Sequence, residues 1–246
     1  MRRFILAAFL ALFCLPASAE LLVNQLIGFG VGGGPVSRTF IDSYEDTTDV
    51  ATTYTFNVSL GSPGSYRQTV VAATQGGTNR TVSSAKVHVP TTAADPAGTT
   101  MTLCTGAKGS SSSTSTEFWY APTSTGTAGQ VVVVWSGAST RGGLHVWALY
   151  NASSTHHAGT VDNSSTYSQS LAVPSNGAIM ASISGINATG YNWTAPTPEH
   201  SDETVEATTE YSAASAEYAS GSSVTVSVAP NGIDSNVMAA CSFGPR

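Results

Sequence analysis

The chain has 246 residues, 41% hydrophobic and only 10% charged, with 24 glycines. That is enough apolar residue for a core, and the low charge excludes the charge-rich composition of a disordered chain. A formal net charge of −6 leaves no basic surface for phosphate, so nucleic acid is excluded as a partner, and docking on anionic lipid is disfavoured.

The chain opens "MRRFILAAFLALFCLPASAE". Arg2 and Arg3 form a basic start, Phe4–Leu15 an apolar run, and Ala17-Ser18-Ala19 a small-residue cleavage site. This predicts an export signal over residues 1–19, cut before Glu20. The apolar run is shorter than the ~20 residues of a membrane span, so no stable membrane insertion is expected once it is removed. Losing Arg2 and Arg3 takes the formal charge from −6 to −8. Cys14 leaves with the signal, since bulky Phe13 before it does not fit a lipobox. Residues 20–49 read as an extension or first strands. They hold the glycine-rich "GFGVGGGP" (Gly28–Pro35), which lacks the Lys-Ser/Thr of a phosphate loop and reads as a turn-forming segment. They also hold the acidic "DSYEDTTD" with Asp42, Glu45, Asp46 and Asp49.

From residue 50 on, short β-branched and apolar runs alternate with Gly, Ser, Asn and Pro clusters. That is an all-β pattern. In "YTFNVSL", Tyr54, Phe56, Val58 and Leu60 share one face, as do Val224, Val226 and Val228 in "SVTVSVA". Further strands are predicted over Gln68–Thr74, Val82–Val89, Thr100–Thr105, Ser115–Tyr120, Gln130–Trp135, Leu144–Tyr150, Tyr167–Val173, Ala178–Ser184 and Asn236–Phe243. "GAKGSSSSTST" (Gly106–Thr116) reads as a flexible loop. "VVVVWSGASTRGGLHVWALYNA" reads as a β-hairpin with Ser136–Gly143 as its connection, Arg141 bordering the loop and His145 packed beside Trp147. Ser201–Ser220 reads as extended chain, because its Thr and Ser content and missing apolar stripe oppose a helix. No exact repeat stands out. The predicted fold is one antiparallel β-sandwich domain over 50–246, jelly-roll-like or immunoglobulin-like.

Candidate chemistry is sparse. His156-His157 is the one close histidine pair among His88, His145, His156, His157 and His200, and no Cys or Glu at zinc spacing accompanies it. The acidic stretches, including Glu199, Asp202, Glu203 and Glu206, offer the oxygen chemistry of calcium but match no EF-hand loop. No catalytic residue, metal or cofactor is therefore assigned. Cys104 and Cys241 form a disulfide if their Cα atoms approach closely enough, and otherwise sit as small buried hydrophobes. Trp119, Tyr191 and Trp193, mixed with polar neighbours, are the candidate ligand-binding residues, able to stack on sugars or anchor a protein. The competing reading puts Phe118 and Tyr120 on a core face with Trp119 pointing out. Asn-x-Ser/Thr triplets at Asn57, Asn79, Asn151, Asn163, Asn187 and Asn192 carry no prediction of sugars in so Ser/Thr-rich a chain.

"YTFNVSLGSPGSYRQTVVAATQGG", "TVSSAKV", the Val131–Ala152 stretch and "YSAASAEYASGSSVTVSVAPNGIDSNVMAACSF" together resemble a loosely defined group of uncharacterised β-rich proteins from bacteriophages and prophage-like bacterial regions, over about residues 50–243. The resemblance implies a virion- or surface-associated β-sandwich and supplies no catalytic residues. An export signal is unusual for a phage structural protein and shifts the expectation toward the bacterial envelope or exterior. The chain is thus expected to be an exported, non-enzymatic structural or adhesive protein that presents loops to a protein or glycan partner, with oligomers open to it. The alternatives are a secreted carbohydrate-binding module and, third, a polysaccharide hydrolase with two facing carboxylates.

Overall fold

The strands arise from two kinds of sequence. One alternates apolar with polar residues; the other is nearly continuous in Val, Ala, Ser, Thr and aromatics. In chain order the strands are β1 (Ser37–Asp46), β2 (Ala51–Ser59), β3 (Gln68–Gly76), β4 (Val82–His88), β5 (Thr99–Thr100), β6 (Thr102–Ser110), β7 (Thr114–Pro122), β8 (Ala128–Ser139) and β9 (Arg141–Tyr150). There follow β10 (Ala158–Asp162), β11 (Ser168–Val173), β12 (Gly177–Ile186), β13 (Tyr191–Ala195), β14 (Glu199–Glu206), β15 (Thr209–Tyr218), β16 (Ser222–Pro230) and β17 (Asn236–Phe243). The computed structural model describes residues 33–46, 50–76, 79–89, 97–111, 113–206, 209–232 and 236–246. The expected signal at 1–19 lies outside them, as does Asp49. Within the expected extension 20–49, the described part is 33–46, made of a short lead-in and strand β1, which pairs with β9.

All pairings are antiparallel, and no helix occurs among the described residues. The strands form four sheets, ordered β2-β8-β4-β5, β1-β9-β3-β7-β6, β10-β17-β12-β15-β14 and β11-β16-β13. Three separate cores fill the spaces between them, so the sheets stack as four layers. The first core joins Tyr54, Phe56, Val131 and Val133 of the first outer sheet to Val71, Trp119 and Val146 of the adjoining inner sheet. The central core joins the other face of that sheet (Val70, Phe118, Trp147, Leu149) to Met180, Ala239 and Phe243 of the second inner sheet. The third joins Ile179, Ile183 and Met238 to Leu171, Trp193 and Val228 of the second outer sheet. Inner strands are therefore buried on both faces. Val70 and Val71, or Ile179 and Met180, are chain neighbours serving different cores.

The two halves of the chain have one topology. Replacing β1, β2, β3, β4 by β10, β11, β12, β13 and β6, β7, β8, β9 by β14, β15, β16, β17 converts the first pair of sheets into the second; only the two-residue β5 has no counterpart. Contacts across the central layer are reciprocal in part: β6 lies against β10 and β17, as β14 lies more loosely against β1 and β9, and β3 meets its counterpart β12, whereas β7 packs on β12 and β17 more closely than β15 does on β3 and β9. A disulfide from Cys104 on β6 to Cys241 on β17 crosses this layer, with Cα atoms 6.3 Å apart. Residues Pro35–Arg246 form a single compact unit.

Three expectations change. The predicted hairpin at Val131–Ala152 is a corner: β8 pairs with β2 and β4 in an outer sheet, whereas β9 pairs with β1 and β3 in an inner one. The predicted flexible loop at Gly106–Thr116 is mostly strand, with β6 and β7 joined by a turn in which Ser111 N–H donates to Thr114 O at 2.8 Å. A single sandwich becomes two, back to back. Domains ordinarily use two or three layers, and burial of both faces of the inner sheets is what builds four.

Candidate functional site

Trp119, Tyr191 and Trp193 do not form an exposed platform. Their relative exposures are 9%, 2% and 9%, Trp119 lying in the first core and the other two in the third. Trp119 Nε1–H donates to Glu117 Oε2 at 3.2 Å, and Trp193 Nε1–H to Ser212 Oγ at 2.8 Å. Tyr191 O–H donates to Glu210 O at 3.2 Å. Trp119 does point away from Phe118 and Tyr120, but toward a second core, not solvent. The expectation of a stacking site on these three rings is corrected accordingly.

The densest set of chemically capable groups lies in the central layer. The ends of β3, β7 and β9 there face those of β12 and β15 with Thr74, Thr116, His145, Ser182, Thr209 and Tyr211, all buried. His145 Nδ1 is 3.2 Å from Ser182 Oγ, and its ring lies 4.6 Å from that of Tyr211 and 6.0 Å from that of Trp147. The Tyr211 hydroxyl donates to Tyr44 O at 3.1 Å. The sheets approach closely here: a Cβ on Gly143 would lie 2.8 Å from Cζ of Tyr211 on the facing sheet, and 2.7 Å from Oγ1 of Thr74, its neighbour on β3. Nearer the sheet edge, His200 stacks on Phe40 at 4.5 Å, and its Nε2 sits 2.5 Å from Ser215 Oγ, which also accepts from Trp147 Nε1–H at 3.2 Å.

A serine beside a histidine is the start of a nucleophile–base pair. Here the chemistry runs the other way. Burial, with the neighbouring His200, pushes His145 down to about 3, and burial with the nearby charge of Arg38 pushes His200 down to about 4. Both rings are neutral at pH 7. Ser182 and His145 are wholly buried between two sheets, where a substrate carbonyl has no approach. Nε2 of His145 and the hydroxyls of Thr74, Thr116 and Thr209 have no hydrogen-bond partner. The cluster is thus a neutral polar seam that sets the spacing of the two halves.

Two buried ionic groups escaped the sequence reading. Arg67 donates to five backbone carbonyls: Thr123 O through Nε at 2.6 Å, Gly61, Ser62 and Gly126 O through Nη1 at 2.9 Å each, and Thr125 O through Nη2 at 2.6 Å. It ties the β2–β3 loop to the β7–β8 loop. Glu117 accepts from Val82 N–H at 2.9 Å as well as from Trp119. A detectable signal for Arg67 was its place among few basic residues, between a Gly/Ser/Pro turn and a β-branched run.

His156 and His157 lie between β9 and β10, where Tyr120 Oη is 3.2 Å from His156 Nδ1. Among the described residues no group of three His, Cys, Asp or Glu converges to hold a metal. Asp42, Glu45 and Asp46 lie on β1, while Glu199, Asp202, Glu203 and Glu206 lie on β14, outside the described side chains. Set against known proteins, the chain matches no family model and no curated sequence.

Proposed function

We propose that this is an exported, non-enzymatic surface protein with a structural or adhesive role, on a bacterial envelope or a virion. The observation that carries the reading is where the side chains are spent. The four tryptophans and most tyrosines and phenylalanines among the described residues go into the interior, and the two outer sheets turn mostly hydroxyls and amides outward. Thr53, Thr55, Asn57 and Gln130 are exposed on one, and Ser168, Ser170, Thr225 and Thr194 on the other. Gln130 Nε2–H donates to Asn57 Oδ1 at 2.9 Å, and Ser170 and Ser223 share a hydroxyl–hydroxyl bond. Such faces are mostly polar and carry little charge, with Lys86 the exposed cation on the first of them, and they suit contact with another surface. We read the strand order of each half as a jelly roll, an architecture used by capsid and lectin domains. Fold hosts many functions, so the weight rests on the surface.

Fractionation of a producing bacterium, with protease shaving of intact cells, tests the reading. The mature chain is expected outside the cytoplasm and accessible to protease, and the purified protein is expected to bind cells saturably. A purely cytoplasmic chain, with no cell binding at any concentration, overturns it.

A further inference from the structure

We propose that Asn231-Gly232 is a self-modification site, at which the backbone nitrogen of Gly232 converts the exposed Asn231 amide to a carboxylate. The inference stands apart from the surface role and does not rest on it. Asn-Gly is the dipeptide in which this chemistry is easiest, because glycine has no Cβ to hinder its own nitrogen. The chain has two such pairs, Asn176-Gly177 before β12 and Asn231-Gly232 after β16, and the fold treats them oppositely.

At Asn176-Gly177 the reacting nitrogen is engaged. Gly177 N–H donates to Pro174 O at 3.0 Å, and Asn176 O accepts from Val36 N–H at 2.9 Å. Gly177 is buried, and a Cβ there would lie 2.6 Å from Phe243 O, so a ring between side chain and backbone has no room to close. At Asn231-Gly232 both residues are exposed. Asn231 N–H donates to Gly190 O at 2.8 Å and Asn231 O accepts from Thr189 N–H at 2.6 Å, which fixes the asparagine at the end of the sheet. Gly232 N–H, by contrast, has no hydrogen-bond partner among the described residues. Asn192 Nδ2–H donates to Asn231 Oδ1 at 3.0 Å. That oxygen is where negative charge gathers when Gly232 N attacks Cγ, so the bond stabilises the charged intermediate.

The step balances with water alone. Hydroxide takes the Gly232 N–H proton, the nitrogen bonds to Asn231 Cγ, and the C–N bond of the side-chain amide breaks, releasing ammonia with a proton from water. Water then opens the resulting succinimide at either carbonyl, leaving aspartate or isoaspartate. The product matters because of where it stands. The strands of the second outer sheet, β11, β13 and β16, contain no charged residue. A sheet whose strands start uncharged thus gains a charge at its end with age, faster at higher pH because the attacking nitrogen must lose its proton.

The test is chymotryptic peptide mapping by mass spectrometry of the purified full chain after days at mildly alkaline pH, folded and in urea. In the folded chain Asn231 is expected to convert, giving aspartate and isoaspartate, while Asn176 stays an amide. In urea both are expected to convert at similar rates. Asn192→Ala, at an exposed position, is expected to slow conversion of folded Asn231 by a few-fold and to leave the rate in urea unchanged; equal folded rates overturn the part given to Asn192. An intact Asn231 in the folded chain, or Asn176 converting as fast beside it, overturns the proposal. Neither result bears on export or cell binding, so the two readings fail separately.

Discussion

At the residue scale, the buried polar groups divide into clamps and spacers. Arg67 is a clamp. Substituting Ala strands five carbonyls, and a loss of at least about 3 kcal/mol is expected in urea unfolding. Lysine recovers only part of it, because three donors on a point charge cannot reproduce a fork. His145 is a spacer, and its neutrality has a pH signature. The unfolded ring takes a proton below about pH 6.5, while the folded ring resists until about 3. Between those values the unfolded state holds more protons, so stability falls as pH drops, by up to about 1.4 kcal/mol per unit from this group. His200, pushed down to about 4, acts in the same direction over a narrower window. Urea midpoints measured from pH 7 to 4 are expected to decline, and His145→Gln to flatten the decline; an unchanged slope refutes the assignment. The sequence places His145 beside Trp147, as found, but shows neither its full burial nor its neutrality. A histidine between Leu144 and Val146 announces a face, but whether a second sheet covers that face is decided by residues dozens of positions away.

At the element scale, strand existence was readable and strand partnership was not. The alternating strands β2 and β16 look outward on one side, so their period of two survives in the sequence. Strands β3, β7, β12 and β17 are buried on both sides, and a run such as "NVMAACSF" does not say which residue serves which core. That is why Trp119 was open to reading as an exposed ring, and why a short connection between β8 and β9 was taken for a hairpin when it turns a corner between layers. The small residues of these strands also have a role in the close approach of the inner sheets. Gly143→Ala places a methyl group against Thr74 and Tyr211. A loss of about 1–3 kcal/mol in thermal or urea melts is expected, and no loss would show that the sheets part freely there. One trace of the duplication was present in the sequence: Thr116-Glu117-Phe118 on β7 and Thr209-Glu210-Tyr211 on β15 occupy corresponding strands, and Thr116, Phe118, Thr209 and Tyr211 face the same central layer.

At the scale of the molecule, the disulfide closes a separation of 137 residues and fastens one half to the other. In the chain-entropy account a loop of that size contributes roughly 4–5 kcal/mol. Reduction, or Cys104→Ser with Cys241→Ser, is expected to lower the melting temperature by on the order of 10 °C while far-ultraviolet circular dichroism keeps its β signature. A change under about 2 °C would mean that the central core alone decides the fit. The matched contacts of β6 and β14 give that core part of the form of a twofold-symmetric dimer interface, in which one patch meets its own counterpart, while β7, packed on β12 and β17, breaks the symmetry. Two separate copies joined this way must present identical outer surfaces. A tethered pair has no such obligation. One outer sheet here carries Lys86 and His88 among its threonines, and the other is Ser and Thr with Asn192. Held in one chain, two halves of like topology thus turn unlike chemistry outward on their far sides.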